Sequence, residues 1–549
     1  MRIDQERELA AMREEIAGLR QELAGARAAL AEKQAFVREL AGIGTALSAE
    51  KDRERLLEMI AELAQRFTNA DGCTLYIKDE AEAHLRFTLV VNQTLKVSMG
   101  VRGSEISWRP VPLRDEKGLD NHKNVSAHCA LTGEIIKISD VYSADYDFQG
   151  TRAFDANTGY RSKSMLVIPM RDNDNEIIGV VQLLNAMSRD SQEVVDFDDA
   201  EVEIVASLAS QAAIAITNMR LIHDLEGLLQ AIVKMVATAI DEKSPYTAGH
   251  VQRVAAIVED LVGAINAAAS GPFAPVSFTA EQLAEIRMAA WLHDVGKIVT
   301  PEHVIDKATK LECRFDRIGL VEHRIELLKH AQRFARGGSA GGGGGAEGLD
   351  LEACLAFLMG INQGGEFLSD EKIAKVHQLA ALEYECHGVR HPLLNANEVE
   401  NLTIRKGTLT DSEREVINNH VAVGIKMLNS LHFPRKLRMV PAYAMMHHEK
   451  LDGSGYPLGL KGDEIPLAAR VLAVADIFEA LSSSDRPYKK ANSMAAVMRI
   501  IGFMVKDGHV DLDVCDLMVE SGVVARYARE HLAEAQWGEF EWRGKKYTV

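Results

Sequence analysis

Residues 291–302 read WLHDVGKIVTPE, and this stretch decides the fold and chemistry of the C-terminal half of the chain. His293 and Asp294 follow an apolar run, and Lys297 lies one helical turn beyond His293, so a helix places both on one face. Imidazole and carboxylate groups suit divalent iron, manganese or zinc, and one carboxylate can bridge two ions. The stretch therefore predicts a metal site in which Asp294 bridges two ions and Lys297 points at a bound phosphate oxygen.

Further histidine and aspartate residues lie in separate segments of the same half, each in a short polar interruption of an apolar surround. A lone histidine on an apolar face is usually a core residue, but several that recur beside acidic partners favour a shared metal site. In chain order these positions are His250, His293 with Asp294, His420, His447 with His448, and Asp476.

Four stretches carry a family resemblance: WLHDVGKIVTPE (291–302), NNHVAVG (418–424), HHEKLDGSGYP (447–457) and VLAVADIFEALSSSDRPYKK (471–490). In order and wording they resemble the motifs of the HD-GYP family, a branch of the HD phosphohydrolases. The resemblance covers residues 241–532 apart from an insertion, and it implies an all-α, HD-type hydrolase domain. It also implies metal ligation by His250, His293, Asp294, His420, His447, His448 and Asp476.

The resemblance further implies a substrate and a reaction, the hydrolysis of cyclic di-GMP to linear pGpG and onward to GMP. Asp294 and Lys297 are then the catalytic residues, and the substrate phosphates are bound by Lys297, Arg486 and Lys489. The namesake triplet is linked in the family to substrate contact and to pairing with diguanylate cyclase domains; it consists of Gly455, Tyr456 and Pro457.

The number of ions follows from the ligand set. Seven side chains suffice for two divalent ions, iron or manganese, when Asp294 bridges and water or substrate fills the open positions. Some relatives carry Glu one turn before the first histidine, where this chain has Tyr246, and a phenol is a poor ligand at neutral pH. Asp241 and Glu242 are expected two turns back on the same helix, out of reach. We therefore expect two ions rather than three.

Two other departures from the family pattern concern spacing. The distance from His293 to His420 along the chain indicates an insertion at about residues 308–400, which surface loops tolerate and which could form a lid or flap. The segment from Asp476 to Arg486 is one residue longer than in some members. Two alternative functions stay open: a non-enzymatic cyclic-dinucleotide receptor or scaffold, and a phosphodiesterase for a mixed cyclic dinucleotide.

Residues 49–220 change to mixed helix and strand. Strand-like runs at 73–78, 85–91, 135–138, 164–170 and 177–185 precede a helix at 198–219, and the last two runs read as an antiparallel hairpin. The segments NADGCTLYIKD (69–79), ALTGEIIKISD (130–140) and FDANTGYRSKSMLVIPM (154–170) resemble a GAF sensory domain, an α/β fold with an antiparallel sheet.

The GAF resemblance leaves the ligand of that domain unknown. Some GAF domains bind cyclic nucleotides, and part of the region that they use is similar to Phe154, Asp155, Thr158, Gly159, Tyr160 and Arg161. Ala156 stands where such members have an acidic residue. The alternative is a GAF domain that binds no ligand and only dimerises and relays a signal.

Two heptad patterns flank the GAF segment. Apolar residues repeat every seven positions over residues 9–40, with Lys33 as a weak point, and a second series continues through Leu221, Leu225 and Leu228 to Ala239. We expect a coiled coil at 1–48, a GAF domain at 49–220, a signalling helix at 221–245 and the HD-GYP domain at 246–549. Both seams predict a parallel homodimer.

Composition limits the partners and the compartment. At 549 residues the chain is too long for one core, and its net charge of −18 disfavours binding of nucleic-acid polymers. The longest apolar helical run, residues 204–217, is shorter than the roughly 20 residues needed to span a bilayer. The N-terminus also has no apolar signal-peptide core, so we expect a cytoplasmic protein with no membrane partner.

Overall fold

The computed structural model describes residues 52–79, 83–100, 103–244, 249–337, 349–483 and 491–549, preceded by 42–47, 49–50 and isolated positions between 18 and 38. The described residues form two compact units, Met1–Gly227 and Leu228–Val549. Most of the predicted heptads at 9–40 lie outside the described residues, as do Tyr246, Arg486 and Lys489.

The first unit is an antiparallel sheet flanked by helices, as expected for a GAF domain. The strand order is β3-β2-β1-β7-β6-β5, with β4 paired to β2 and β8 to β7. The elements are α1 (Arg53–Thr68), β1 (Ala70–Lys78), β2 (His84–Asn92), β3 (Val97–Gly100), β4 (Val111–Pro112), α2 (Val125–Thr132), β5 (Ile136–Ile138), α3 (Gln149–Thr158), β6 (Met165–Arg171), β7 (Ile177–Met187), β8 (Val194–Val195) and α4 (Asp199–Asp241).

Local signals explain these elements. Asp52 caps α1 by accepting from the backbone N–H groups of Glu54 and Arg55. The predicted hairpin of β6 and β7 is confirmed, because Asp172 accepts from the backbone of Glu176 and Asn175 takes the left-handed conformation that a tight turn needs. The short strands β3, β4 and β8 were not predicted, since two to four residues are too few for an alternating pattern.

The segment compared with cyclic-nucleotide sites is fastened to the sheet by internal hydrogen bonds. The Asp155 carboxylate accepts from the backbone and the hydroxyl of Ser162, both at 2.9 Å. The Tyr160 hydroxyl donates to Asp71 at 2.5 Å and accepts from Asn185 at 2.9 Å. These two side chains therefore have a structural role.

Helix α4 is longer than predicted and continues to Asp241. Among the described residues it is the one helix long and apolar enough to cross a membrane by length and composition alone, measures that the core helix of a folded domain also meets. The sequence argument considered only residues 204–217. Part of its apolar face lies in the core of the first unit, through residues such as Val205, Leu208 and Ala212.

The second unit is mainly helical. Its helices are α5 (His250–Asn266), α6 (Ala280–Leu292), α7 (Glu302–Ile305), α8 (Ile318–Gly337), α9 (Leu351–Asn362), α10 (Asp370–Ala380), α11 (Ala396–Leu402), α12 (Asp411–Asn429), α13 (Val440–Met445), α14 (Leu467–Ser482), α15 (Met494–Lys506), α16 (Leu512–Glu520) and α17 (Val523–His531). A short 3₁₀ helix, Val295–Val299, follows α6, and three others are Arg435–Leu437, Gly462–Glu464 and Glu534–Gln536.

The expectation of an all-α second half was wrong in two places. Strands β9 (Glu383–Cys386) and β10 (Val389–Pro392) form one antiparallel hairpin, and β11 (Glu539–Trp542) and β12 (Lys545–Thr548) form another. Each two-residue turn ends in glycine, and both turn residues have positive φ: His387-Gly388 and Arg543-Gly544. Such turns match the twist of paired strands and specify hairpins locally.

The residues of the predicted insertion pack around an apolar core of their own, which includes Leu311, Leu358 and Leu402. The larger core of the unit lies between α5, α6 and α14 to α17, with Leu261, Phe478 and Met518 among its buried side chains. Helices α5 and α14 of this second core carry His250 and Asp476, and α12 carries His420.

Gly296 sets the spacing between helix α12 and the segment that carries His293 and Asp294. A Cβ at this position would lie 1.8 Å from the His420 carbonyl oxygen and 2.7 Å from the Gly424 nitrogen. Only glycine allows so close an approach of two backbones. Gly296 thereby brings His293 and Asp294 next to His420.

We expect Gly296→Ala to lower the free energy of unfolding by at least about 1–3 kcal/mol, because the methyl group forces the backbones apart. Gly424→Ala is the matched control, since its Cβ would meet the nearest atom at 3.5 Å, an ordinary contact. Alanine in a helix interior is about 0.5–1 kcal/mol more favourable than glycine. Chemical denaturation should separate the two variants, and equal stability would contradict the argument.

Candidate metal centre

The seven predicted ligands come together in the second unit from five separate segments. His250 is the first residue of α5, and His293 and Asp294 lie between α6 and the 3₁₀ helix. The remaining four come from α12, from the segment after α13, and from α14: His420, His447, His448 and Asp476. Sequence reasoning placed all seven at one site, and the structure brings all seven together.

The ligand atoms form two groups, each spanning at most 4.8 Å. One group consists of His420, His447 and His448, and the other of His250, His293 and Asp294. Asp476 joins the second group, with its Oδ1 3.3 Å from His250 Nε2 and 3.9 Å from His293 Nε2.

Asp294 lies between the two groups. Its Oδ1 is 3.4 Å from His420 Nε2, while its Oδ2 is 3.3 Å from His293 Nε2 and 3.6 Å from His250 Nε2. Each oxygen thus faces a different group. This is the arrangement that a bridging carboxylate requires.

Three imidazole rings are oriented by backbone carbonyls. The Nδ1–H groups of His293, His420 and His447 donate to the carbonyls of Ala290, Ile417 and Ala444 at 2.6–2.7 Å. Their Nε2 atoms are buried and have no hydrogen-bond partner among the described residues. A buried polar atom without a partner is costly, and a divalent ion in each group would satisfy these lone pairs.

Burial sets the protonation state of the first group. It lowers the pKa of His447 well below the usual value, that of His448 to about 4, and that of His420 below its usual value. All three imidazoles are therefore neutral at pH 7. Neutral imidazole is the form that binds a metal ion.

The second group carries opposite charges. Burial raises the pKa of Asp294, but Lys297 and His293 outweigh burial and hold this pKa well below the usual range. Burial lowers the pKa of His250, but bonds to Asp294, Asp476 and Glu479 outweigh it and raise the pKa. The centre thus holds two ionised aspartates, Asp294 and Asp476, in a buried site.

Lys297 lies at the edge of this centre, with Nζ 2.5 Å from Asp294 Oδ2. The prediction that one helix carries His293 and Lys297 was wrong, because α6 ends at Leu292 and Lys297 lies on the following 3₁₀ helix. Asp294 is buried beneath it, and the Lys297 side chain remains partly exposed.

The predicted triplet Gly455, Tyr456 and Pro457 lies directly beside the histidine pair. The Tyr456 ring stacks on His448, with ring centroids 4.8 Å apart. The buried Glu449 carboxylate accepts from the backbone of Leu458 at 2.6 Å and thereby folds the loop back. A Cβ on Gly455 would lie 2.4 Å from the Lys450 nitrogen, so the turn requires glycine.

Sequence reasoning missed Glu479. Its Oε2 lies 2.5 Å from His250 Nδ1 and its Oε1 accepts from Arg253 Nε at 2.6 Å. Glu479 is 1% exposed. Its spacing of one turn from Asp476 on α14 was the available signal.

The expectation that Asp241 lies on the same helix as His250 was wrong. Helix α4 ends at Asp241 and α5 begins at His250. The Asp241 carboxylate accepts from the backbone N–H of Val251 at 3.0 Å.

Comparisons with known proteins agree with the two resemblances. A GAF domain model matches residues 52–216, and two HD domain models match residues 247–359 and 378–514. The HD domain is a metal-dependent family, and the two ligand groups are its candidate metal-binding residues here.

Several curated proteins are similar to the second half. The "Cyclic di-GMP phosphodiesterase response regulator RpfG" of Xanthomonas campestris is 34% identical over 198 residues, covering 36% of this chain and 48% of that protein. The "3'3'-cGAMP-specific phosphodiesterase 1" of Vibrio cholerae is 29% identical over 267 residues, covering 45% and 57%. The "Cyclic di-GMP phosphodiesterase" of Thermotoga maritima is 38% identical over 102 residues, covering 19% and 27%.

The matched part is about half of each of the first two relatives and about a quarter of the third. Motif order and the domain models point to the same pair of domains, and the names of the relatives agree with the second of them. The chain therefore combines an N-terminal GAF domain with a C-terminal HD domain of the HD-GYP type.

Proposed function

We propose that the second unit is a metal-dependent phosphodiesterase that hydrolyses cyclic di-GMP to linear pGpG and onward to GMP, in the cytoplasm and under control of the GAF domain. The observation that carries this proposal is the pair of buried ligand groups that share Asp294 and lie beside Lys297. The names of the relatives, which are phosphodiesterases of cyclic dinucleotides, support the substrate class.

Two divalent ions, iron or manganese, fit the seven side chains. One group offers three neutral imidazoles, and the other offers two imidazoles and two carboxylates, with Asp294 facing both. When bound, such ions supply Lewis-acid polarisation of phosphoryl oxygens and acidify a water nucleophile. Histidine with carboxylate suits iron and manganese.

A third ion would need another carboxylate on the Nε2 side of His250. Glu479 lies instead on the Nδ1 side of that ring and is held by Arg253. The Asp241 carboxylate is bound to the backbone of α5. Tyr246, whose phenol was weighed as a poor ligand, lies outside the described residues. We therefore assign two ions.

The chain's own residues then bind and orient the substrate. Lys297 can donate to a phosphate oxygen at the mouth of the centre, where it stabilises the charge that develops in the transition state. Tyr456, stacked on His448, presents an aromatic edge to the nucleotide. We assign further phosphate contacts to Arg486 and Lys489 from the motif resemblance. The loop of Gly455, Tyr456 and Pro457 is the surface we assign to a diguanylate cyclase domain.

Two other functions remain as alternatives. A mixed cyclic dinucleotide as substrate is favoured by the relative named as specific for 3'3'-cGAMP. A non-enzymatic receptor would have no need for every ligand, and the complete set of seven counts against it. A substrate panel separates all three functions.

We also propose that the chain is a parallel homodimer. Helix α4 exposes an apolar stripe in heptad spacing, formed by Leu221, Leu225, Leu228, Ile232 and Met235, and Leu225 is 66% exposed. Val233, Val236 and Ile240 face the core of the second unit instead. An exposed apolar stripe on a helix is covered in a coiled coil by the same stripe of a second copy.

The first prediction tests the function and the division of roles. We expect purified, anaerobically loaded protein to hold two metals per chain and to convert cyclic di-GMP faster than 3'3'-cGAMP. Asp294→Ala should abolish hydrolysis and lower the metal content, because the remaining cations lose their shared carboxylate. Lys297→Ala should keep the metal and slow turnover on the order of a hundredfold. Equal metal loss in both variants would contradict these roles, and inactive wild-type protein would contradict the function.

The second prediction concerns Glu479. We expect Glu479→Gln to weaken metal binding by about 10–100-fold, because the His250 ring loses the carboxylate that orients it and raises its basicity. Anaerobic metal titration measures this without reference to activity. Glu415→Gln, an exposed position on α12, is the control and should bind metal as wild type does. Unchanged affinity in Glu479→Gln would show that the contact is incidental.

The third prediction concerns the dimer. We expect Leu225→Glu combined with Ile232→Glu to convert the protein to a monomer, because two charges per chain enter the apolar seam. The control is His223→Glu combined with Gln230→Glu. These two positions have the same spacing along the helix but lie outside the apolar stripe, so the dimer should stay intact. Light scattering at micromolar concentration distinguishes these outcomes, and a dimeric stripe variant would refute the proposed seam.

A further inference from the structure

Residues at and after the end of α4 contact the backbone of two segments that carry site residues, the first turn of α5 and the 3₁₀ helix. Asp241 is 6% exposed, and its Oδ2 accepts from the backbone N–H of Val251 at 3.0 Å. Val251 follows His250 in the first turn of α5. The end of α4 therefore helps to fix the turn that carries a candidate ligand.

Lys243 contacts the other side. Its Nζ donates to the carbonyls of Lys297, Ile298 and Thr300 at 3.3, 2.6 and 2.7 Å. These carbonyls lie at the C-terminal end of the 3₁₀ helix, and that of Lys297 also accepts from the backbone N–H of Thr300 at 3.0 Å. A cation there is also favoured by the helix dipole. Lys243 thus holds the backbone that carries Lys297.

Asp241 and Lys297 face a common space. They line a small cavity of about 10 Å³ together with Asp294, Lys243 and Ser244, which is about the room that one water needs. The Asp241 carboxylate therefore faces the same space as the Lys297 ammonium and the Asp294 carboxylate.

Two further contacts hold the end of α4 and the residues that follow it. The Ser244 hydroxyl donates to Asp306, which follows α7. Ile240, at the end of α4, packs in the same apolar cluster as Leu292, which directly precedes His293. A shift of this helix end would therefore move the surroundings of His293 and Lys297 as well.

We propose that Asp241 and Lys243 are positioning residues that tie the end of α4 to the His250 turn and to the backbone of Lys297. Movement of α4 is thereby converted into a change in the placement of Lys297 at the phosphate. This inference rests on the proposed function, because it takes Lys297 to act on substrate phosphate. It goes beyond that function by naming the contacts through which the long helix controls the centre.

The test compares full-length, metal-loaded variants. We expect Lys243→Met, which keeps the length of the side chain and removes the donor, to lower kcat for cyclic di-GMP by tenfold to a hundredfold. Metal content and KM should stay near those of wild type. Lys243→Arg should restore most of the turnover because it keeps a cationic donor. Lys234→Met is the control on the same helix, where the ammonium lies over Trp291, and its kcat should be unchanged.

A readout independent of activity separates this inference from the proposed function. Amide hydrogen exchange of peptides spanning residues 294–301 should accelerate in Lys243→Met and recover in Lys243→Arg, while peptides from the hairpin of β11 and β12 stay unchanged. Wild-type protein that hydrolyses no cyclic dinucleotide would refute the proposed function, and the exchange data would still test the contacts.

Two results would overturn the inference. One is Lys243→Met protein with wild-type kcat and wild-type exchange at 294–301. The other is faster exchange throughout the second unit with a lower melting temperature, since this would show a general structural role. Asp241→Ala provides a second variant, because it removes the acceptor for the Val251 backbone N–H. It should lower kcat and accelerate exchange at the start of α5, and Asp241→Asn, which keeps an acceptor oxygen, should recover both.

Discussion

The second unit is organised around one buried carboxylate, Asp294. A buried negative charge is costly unless ionic or hydrogen-bonding partners surround it. Here the partners come from the 3₁₀ helix, α5 and α12, through Lys297, His250 and His420. Each of these elements must therefore reach one point, and the close packing at Gly296 is what allows the His420 helix to do so.

The same constraint explains the contrast in charge between the two ligand groups. Three imidazoles with depressed pKa values face a pair of ionised aspartates, and Asp294 joins the two sets. A divalent ion on the histidine side would be attracted to Asp294 without competing with a proton on those rings. On the other side an ion would displace the proton on His250 Nε2, which faces Asp294 and Asp476, while Glu479 keeps its contact with Nδ1. The centre is thus suited to cations on both sides.

The sequence predicted the ligands because metal-binding residue types and their order are visible without a structure. Turn residues placed the GAF hairpin at 165–187, whereas the spacing of His293 and Lys297 predicted one helix where the structure has two. Lys243 could not be found in this way, since a single charged residue reads as a solvated position, and the one signal for Glu479 was its spacing of one turn from Asp476. The roles of both residues depend on which groups lie opposite them, and this is decided by tertiary packing. The turns at His387-Gly388 and Arg543-Gly544 were local signals that the helical reading overlooked.

The predicted insertion between α7 and α12 is compatible with the metal centre because its two ends lie close together. Lys307, before this segment, donates to Asn401 near its end at 2.7 Å and to Glu413 on α12 at 2.7 and 2.8 Å. The Lys307 carbonyl also accepts from Thr408 at 3.0 Å. When the two ends of an inserted segment lie close together, the free-energy cost of closing the segment grows only slowly with its length. The helix that carries His420 is therefore held at its first turn by the same lysine that closes the segment.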